Sequence, residues 1–392
     1  MTFINILLFF KINQNKKIYK CIILLIIIYI NVNLRQTKIR FIQLDSEINN
    51  IKKYYELNNN GTLINKKKFT KVNKPKVSII SAVYNRDKFI LRFLRSIQNQ
   101  FFDEIEIIFI DDCSIDDSVK IIEENKKEDE RIILLKQRVN KGTLIARNIG
   151  VLLSKGEYLI LPDPDDILSE NILYECYSIA KKNDFEMIRF NMYSDKFFPF
   201  STIPENLKSI VYQPELSTYL IYGHGYKKLV DGIISNKFIK TESFLKTLKK
   251  INNYYLNLKM IYFEDGLINF ALHRTIKSLY LLKKIGYYYI FNKDSVSRFM
   301  DYSSYIKCFF IFLKYIYENT NDNKYEKDMI SYLIIIYIQD IRVINNLKNN
   351  YEYISICEKI IYQIYNNRFI TIGSKNILRK ILYLIKKLKL NF

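Results

Sequence analysis

From Lys76 onward, short β-branched apolar runs alternate with stretches of helical spacing, and few folds accommodate such a pattern. "KVSIISAVYN" reads as a strand. "DKFILRFLRSIQNQ" sets Phe89, Phe93 and Ile97 on one helical face, with Asp87 as the expected cap. A second strand, "IEIIFIDD", precedes a helix running from Ser114 through "SVKIIEENKK". "RIILLKQ" is a third strand, "TLIARNIGVLLSK" a helix, and "EYLILPD" a fourth strand. Strands and helices joined by short links predict an α/β domain, Rossmann-like, whose mostly parallel sheet is flanked by helices. Ligands of such sheets bind outside the carboxyl ends of the strands.

Acids collect at those ends. Asp111 and Asp112 close the second strand, and Asp163, Asp165 and Asp166 follow the fourth in "GEYLILPDPDDIL". Carboxylates so close repel one another. An all-oxygen set without His or Cys suits a hard divalent cation, Mg²⁺ or Mn²⁺. Such an ion takes one or two protein carboxylates and leaves its other positions to phosphate and water. The plainer alternative is a polar turn whose aspartates cap a helix starting at Ile167.

This acidic focus sits in a basic chain. Sixty-one Lys+Arg against 40 Asp+Glu give a formal net charge of +21. The lysines are spread out and no nucleic-acid motif accompanies them, so no nucleic-acid partner is expected. An anionic membrane surface and a nucleotide substrate suit the charge equally. Five scattered cysteines without a CxxC, and only two histidines, argue against a disulfide framework, a zinc site or a Ser-His-Asp triad.

Four regions are expected. Residues 1–34 form an N-terminal tail with a membrane anchor at about 18–34, whose apolar centre, Cys21–Ile30, is short for a span of about 17–25 residues. A cleaved signal peptide competes with this reading, but "INVNLRQTKIR" lacks the small residues of a cleavage site. A single-pass, type II topology or a peripheral cytoplasmic location would follow. Residues 35–75, polar and Asn/Lys-rich, read as a stem; Asn60 heads a glycosylation sequon that so Asn-rich a stretch produces by chance. Residues 76–300 form the α/β domain, with "SLYLLKKIGYYYIFN" alternating like a β-hairpin. Residues 301–392 look helical and end in a basic amphipathic tail. Its partner is either a membrane surface or the protein's own core.

The run "VSIISAVYN…SIQNQFFDEIEIIFIDDCSIDDS…NKGTLIARNIGVLLSKGEYLILPDPDD" resembles the nucleotide-sugar-binding half of family 2 glycosyltransferases, which have the GT-A fold. The resemblance covers about residues 76–182 well and fades toward 298. It implies a metal-dependent, inverting transfer of sugar from a nucleotide-sugar, usually a UDP-sugar, to a glycan, lipid or protein acceptor. Ala82 and Tyr84 would line the base. Asp112 would accept from a base N–H with Asp111 in support, because a carboxylate only accepts. Arg147 would contact base or phosphate, or brace the carboxylates. Asp163 would lie near ribose and metal, Asp165 would ligate the metal, and Asp166 would act as a cap or behind the ligands. The family's second acidic motif corresponds to "FEDG". There Asp265 would be the general base and Glu264 an orienting, acceptor-binding group; the simpler role for both is to favour a helix N-terminus. His224, His273 and Arg298 are weaker candidates, better read as structural or surface residues. Cys113 reads as a small buried residue. The chain departs from processive members of the family in having no QxxRW-like segment and no tryptophan. Two rivals stand beside this reading. A nucleotidyltransferase would want a Gly-rich phosphate loop, which "SAVYNRDK" lacks. The other is an inactive nucleotide- or sugar-binding membrane protein.

Overall fold

The computed structural model describes residues 68–194, 203, 208–213, 232–290 and 302–319. The expected anchor, most of the stem, Asn60, His224, Arg298 and the basic C-terminal tail lie outside them. Among the described residues no helix is long and apolar enough to cross a membrane.

The first half follows the sequence pattern. Strands β1 (Val77–Val83), β2 (Ile105–Asp111), β3 (Ile132–Lys136) and β4 (Tyr158–Ile160) alternate with helices α1 (Asp87–Gln98), α2 (Ser118–Lys126) and α3 (Thr143–Leu153). β1 and β2 are buried on both faces, which is why they read as continuous apolar runs. Val77, Ile79, Ile107 and Phe109 face one layer, where Phe93 and Ile97 of α1 pack. Ile80, Ile108 and Ile110 face the other, with Leu144 and Val151 of α3. Gly150 lets α3 lie flush on the sheet, since a Cβ there would stand 2.2 Å from Cγ2 of Ile80.

The second half adds β5 (Ile167–Leu168), α4 (Ile172–Asn183), β6 (Met187–Ser194), β7 (Ile210–Tyr212), β8 (Lys237–Lys240), α5 (Thr241–Lys250), α6 (Asn253–Leu256), α7 (Glu264–Thr275), β9 (Ser278–Tyr289) and α8 (Tyr302–Asn319). The sheet runs β3-β2-β1-β4-β8-β6-β9-β5, with β7 on β9. It is mixed rather than mostly parallel. β1–β4 are parallel, but β8 is antiparallel to both β4 and β6, and β9 pairs parallel with β6 and antiparallel with β5 and β7.

Three local expectations are corrected. Residues 278–289 form one strand, not a hairpin. The register slips between Leu282 and Ile285 opposite Phe190 and Asn191, so a bulge absorbs the lysine pair where a turn was expected. Ile167 opens β5 rather than a helix, so the aspartates before it cap nothing. Asp87 is the first residue of α1; its Oδ1 accepts from the Lys88 N–H at 2.7 Å, and the cap position belongs to Arg86.

Candidate active site

The ends of β1, β2 and β4 open on the same side as α3 and α7, and each expected site residue sits on one of these elements or the turn after it. Ala82 is half-buried on β1, and Tyr84 follows it, exposed. Asp111 and Asp112 are both buried at the end of β2. Asp111 accepts from the Ser114 N–H at 3.2 and 3.3 Å. Asp112 is more fully engaged. Its Oδ1 accepts from Gln137 Nε2 at 2.9 Å and the Lys141 N–H at 2.7 Å, and its Oδ2 from the Gly142 N–H at 2.7 Å. Burial raises its pKa despite those amides. Asp112 thus fastens the turn from which α3 departs; Gly142 makes that turn at φ +90°, a conformation natural to glycine. Cys113 is half-buried, not buried, and has φ +71°.

About a turn and a half of helix later stands Arg147, and its guanidinium is the junction of the site. Nη2 lies 2.6 Å from Asp163 Oδ1, in the turn after β4. Nη1 is paired with Asp265 Oδ1 and lies 3.8 Å from Glu264 Oε1, at the start of α7. Asp265 Oδ2 accepts from the Ile234 N–H at 3.2 Å. Burial opposes the charge on Arg147, but Asp265, Asp163 and Glu264 outweigh it and hold the guanidinium protonated. Asp163 is raised to about 6 by burial first, with Arg147 pulling it down and Asp165 and Asp265 pushing it up. Burial and the Asp265 charge raise Glu264 to about 7 against the pull of Arg147. One cation therefore serves three carboxylates. Arg147, Glu264 and Asp265, with Asn148 and an apolar wall of Leu144, Leu161 and Phe244, line a small hollow.

The other two aspartates of the turn have different surroundings. Asp165 faces α1, where its Oδ2 lies 3.4 Å from Arg86 Nε and its carbonyl accepts from Arg92 at 2.9 Å. Asp166 is buried; it accepts from the Tyr287 hydroxyl at 2.7 Å and from the Ile290 N–H at 2.9 Å. Burial, then Asp165 and Asp163, drives its carboxyl well above the ordinary value. The same Tyr287 oxygen accepts from the Asp163 N–H at 3.0 Å, so one phenol ties the acidic turn to β9. Ser81 Oγ holds the Pro162 carbonyl at 3.0 Å from β1. Arg86 and Tyr287 escape sequence reading. Arg86 follows the first strand end, a usable signal, whereas Tyr287 is one of 32 tyrosines.

Asp163, Arg147, Glu264 and Asp265 thus come together, and Asp112 joins them through α3. His273, two turns beyond Asp265, is wholly buried and does not line the hollow. Among the described residues no three His, Cys, Asp or Glu side chains converge as a ready metal cage. The oxygen-only donors Asp163 and Asp165 nonetheless fit a hard cation that needs one or two carboxylates. Asp163 leaves 37% of its side chain open to an incoming ion.

The family model described as Glycosyl transferase family 2 matches residues 78–266. Glycosyltransferase GlyG of Streptococcus pneumoniae is 32% identical over 118 residues, 30% of this chain and 39% of that protein. The poly(ribitol-phosphate) beta-glucosyltransferase of Bacillus spizizenii is 36% identical over 111 residues, 28% of this chain and 18% of its own. The chain therefore spans well under half of either relative. The crystal structure of S. aureus TarS 1-349 in complex with UDP-GlcNAc superposes with a TM-score of 0.62 over 80% of this chain and 89% of that one, at 15% identity, a likeness of fold. Strand-end acids, the arginine of α3 and the acid pair of α7 all fall within the matched segment, and residues 78–266 of this chain are a family 2 glycosyltransferase domain of the GT-A fold.

Proposed function

We propose that the domain transfers a sugar from a nucleotide-sugar, a UDP-sugar, to an acceptor hydroxyl with inversion at the anomeric carbon. The observation that carries this reading is the single guanidinium of Arg147 bridging Asp163, on the donor-side turn, and Asp265, on the acceptor-side helix. Donor-side and acceptor-side acids are thereby held by one side chain, the proximity that in-line displacement requires.

Asp265 takes the proton of the acceptor hydroxyl as its oxygen forms the new bond to the anomeric carbon. The bond to the diphosphate breaks on the opposite face, and UDP leaves with that electron pair. The Ile234 N–H fixes the second oxygen of Asp265. Glu264, titrating at about 7, offers the acceptor a donor or an acceptor near neutral pH. Asp111 and Asp112, with Ala82 and Tyr84 on the neighbouring strand and the residue after it, would line the base. Asp163 and Asp165 would hold a divalent cation, Mn²⁺ or Mg²⁺, which supplies positive charge to the departing diphosphate. A UDP-sugar donor draws support from the UDP-GlcNAc complex of the S. aureus structure. The acceptor is a glycan, lipid or protein hydroxyl. Membrane contact through residues 18–34, and through the basic tail, is part of the same proposal, and cell fractionation with protease protection tests it.

Asp265→Asn tests the mechanism. It should keep UDP binding and lose turnover by about 10²–10⁴-fold. Wild-type turnover in that variant would remove Asp265 from the base's role.

A further inference from the structure

Phe263, the residue just before the acid pair, has φ +62° and ψ 5° and occupies the N-cap of α7. Asn85 and Asp184 share the left-handed region, where short polar side chains are at home. An aromatic side chain is an outlier there and persists only where its surroundings over-determine it. Those surroundings come from α8. Tyr305, Phe309 and Phe312 recur at i, i+4 and i+7 and so share one face of that helix. Their ring centroids lie 5.0, 5.5 and 5.8 Å from that of Phe263, and Phe312 stacks on it at 14°.

The grip has a second point on the far side of the acids. Phe312 lies so close to Gly266 that a Cβ there would stand 3.1 Å from its Cζ. Phe263 and Gly266 thus bracket Glu264 and Asp265, and one ring of α8 touches both brackets. Further along α8, Tyr315 packs on Tyr255 and Phe270 at 4.9 and 5.9 Å, and the Tyr255 hydroxyl donates to Glu318. Cys308, Phe312, Tyr315 and Ile316 are buried in the same core as Leu267 and Leu272 of α7.

We propose that α8, beyond the segment that matches the family, sets where Asp265 and Glu264 point, with Phe263 and Phe312 as the positioning residues. The left-handed turn at Phe263 starts α7 at the angle that brings Asp265 to Arg147 and to the Ile234 N–H, and the rings of α8 hold that turn closed. This rests on Asp265 being the base, and the test separates the two ideas.

Hydrogen–deuterium exchange on the full chain compares wild type, Phe312→Ala and Phe312→Leu; Leu keeps apolar bulk without pressing Gly266. In Phe312→Ala the amides of residues 263–268 should exchange about tenfold or more faster, with β1 and β2 unchanged. Phe312→Leu should restore most of that protection. Unchanged exchange over 263–268 in Phe312→Ala overturns the proposal, as does acceleration spread equally over β1 and β2. The second readout is UDP release from UDP-GlcNAc and UDP-glucose with water as acceptor. Phe312→Ala should lower kcat about tenfold while the donor KM stays within about twofold, and Phe312→Leu should recover most of kcat. An unchanged kcat per folded molecule refutes the positioning role. If Asp265→Asn keeps its turnover in the same assay, the base assignment falls, while the exchange result still judges the grip of α8.

Discussion

Replacing Arg147 with methionine removes the charge at the junction while keeping a long, unbranched side chain. The guanidinium is nearly buried, with 8% of its side chain exposed, and it bonds two carboxylates, Asp163 at 2.6 Å and Asp265. Hydrogen bonds to charged groups contribute about 1.5–3 kcal/mol each. Asp163 and Asp265 are 37% and 25% exposed, so water compensates part of the loss and the low end applies. The total is about 3 kcal/mol. At about 2–4 °C per kcal/mol for 150–250 residues, and less for a larger unit, the melting temperature should fall by roughly 6 °C at pH 8.

The pH dependence is the sharper part. Asp163 titrates at about 6 and Glu264 at about 7, above their ordinary 3.8 and 4.5, because burial and neighbouring charge favour the protonated forms. Stability from these two groups is full below about pH 4 and lost as pH rises through 6 and then 7. Arg147 opposes both shifts. Without it the folded values climb further, so the variant loses more at pH 8 than the wild type does. At pH 5 both acids are largely protonated in either protein, and the deficit should shrink to less than about half. Thermal unfolding in EDTA, followed by circular dichroism because the chain has no tryptophan, reads this directly. Melting within about 2 °C of wild type at pH 8, or a deficit equal at both pH values, would refute the junction described for Arg147.

UDP with Mn²⁺ should raise the melting temperature of the wild type, and Asp165→Ala should abolish that shift; an undiminished shift would move the cation elsewhere. Gly150→Ala should destabilise by about 1–3 kcal/mol, although alanine is the better helix former, because its Cβ meets Ile80 at 2.2 Å. A neutral or raised melting temperature would show that α3 can lift off the sheet. Glu106→Ala should lower stability by about 2–4 kcal/mol. That buried carboxylate accepts from Ser78 Oγ at 2.6 Å, the Gly156 N–H at 3.1 Å and the Lys155 N–H, and denaturant titration would measure the loss.

The first half of the fold was legible because β1–β4 carry their own period and are separated by helices with an apolar face. The second half was less so. β9 alternates like two strands, yet it is one strand with a bulge, and nothing local marks a bulge that exists to match β6. The acids could be picked out by their position at strand ends. Their pairing could not, since Arg147 and Asp265 are 118 residues apart and only the packing of α3 beside α7 joins them. Phe263 was invisible for the opposite reason. A left-handed residue announces itself in sequence as Gly or Asn, and here an aromatic side chain is held there by rings contributed from α8.

The bonds of Asp112 carry one more implication. Its carboxylate secures the amides of Lys141 and Gly142, and Arg147 follows five residues later, about 7.5 Å along α3. Three of its roughly four acceptor sites are taken, so a donor that recruits this carboxylate meets Oδ2, the oxygen already bonded to the Gly142 amide. On the proposed reading, a nucleotide at the tip of β2 would therefore share its anchor with the first turn of α3, the helix that carries Arg147.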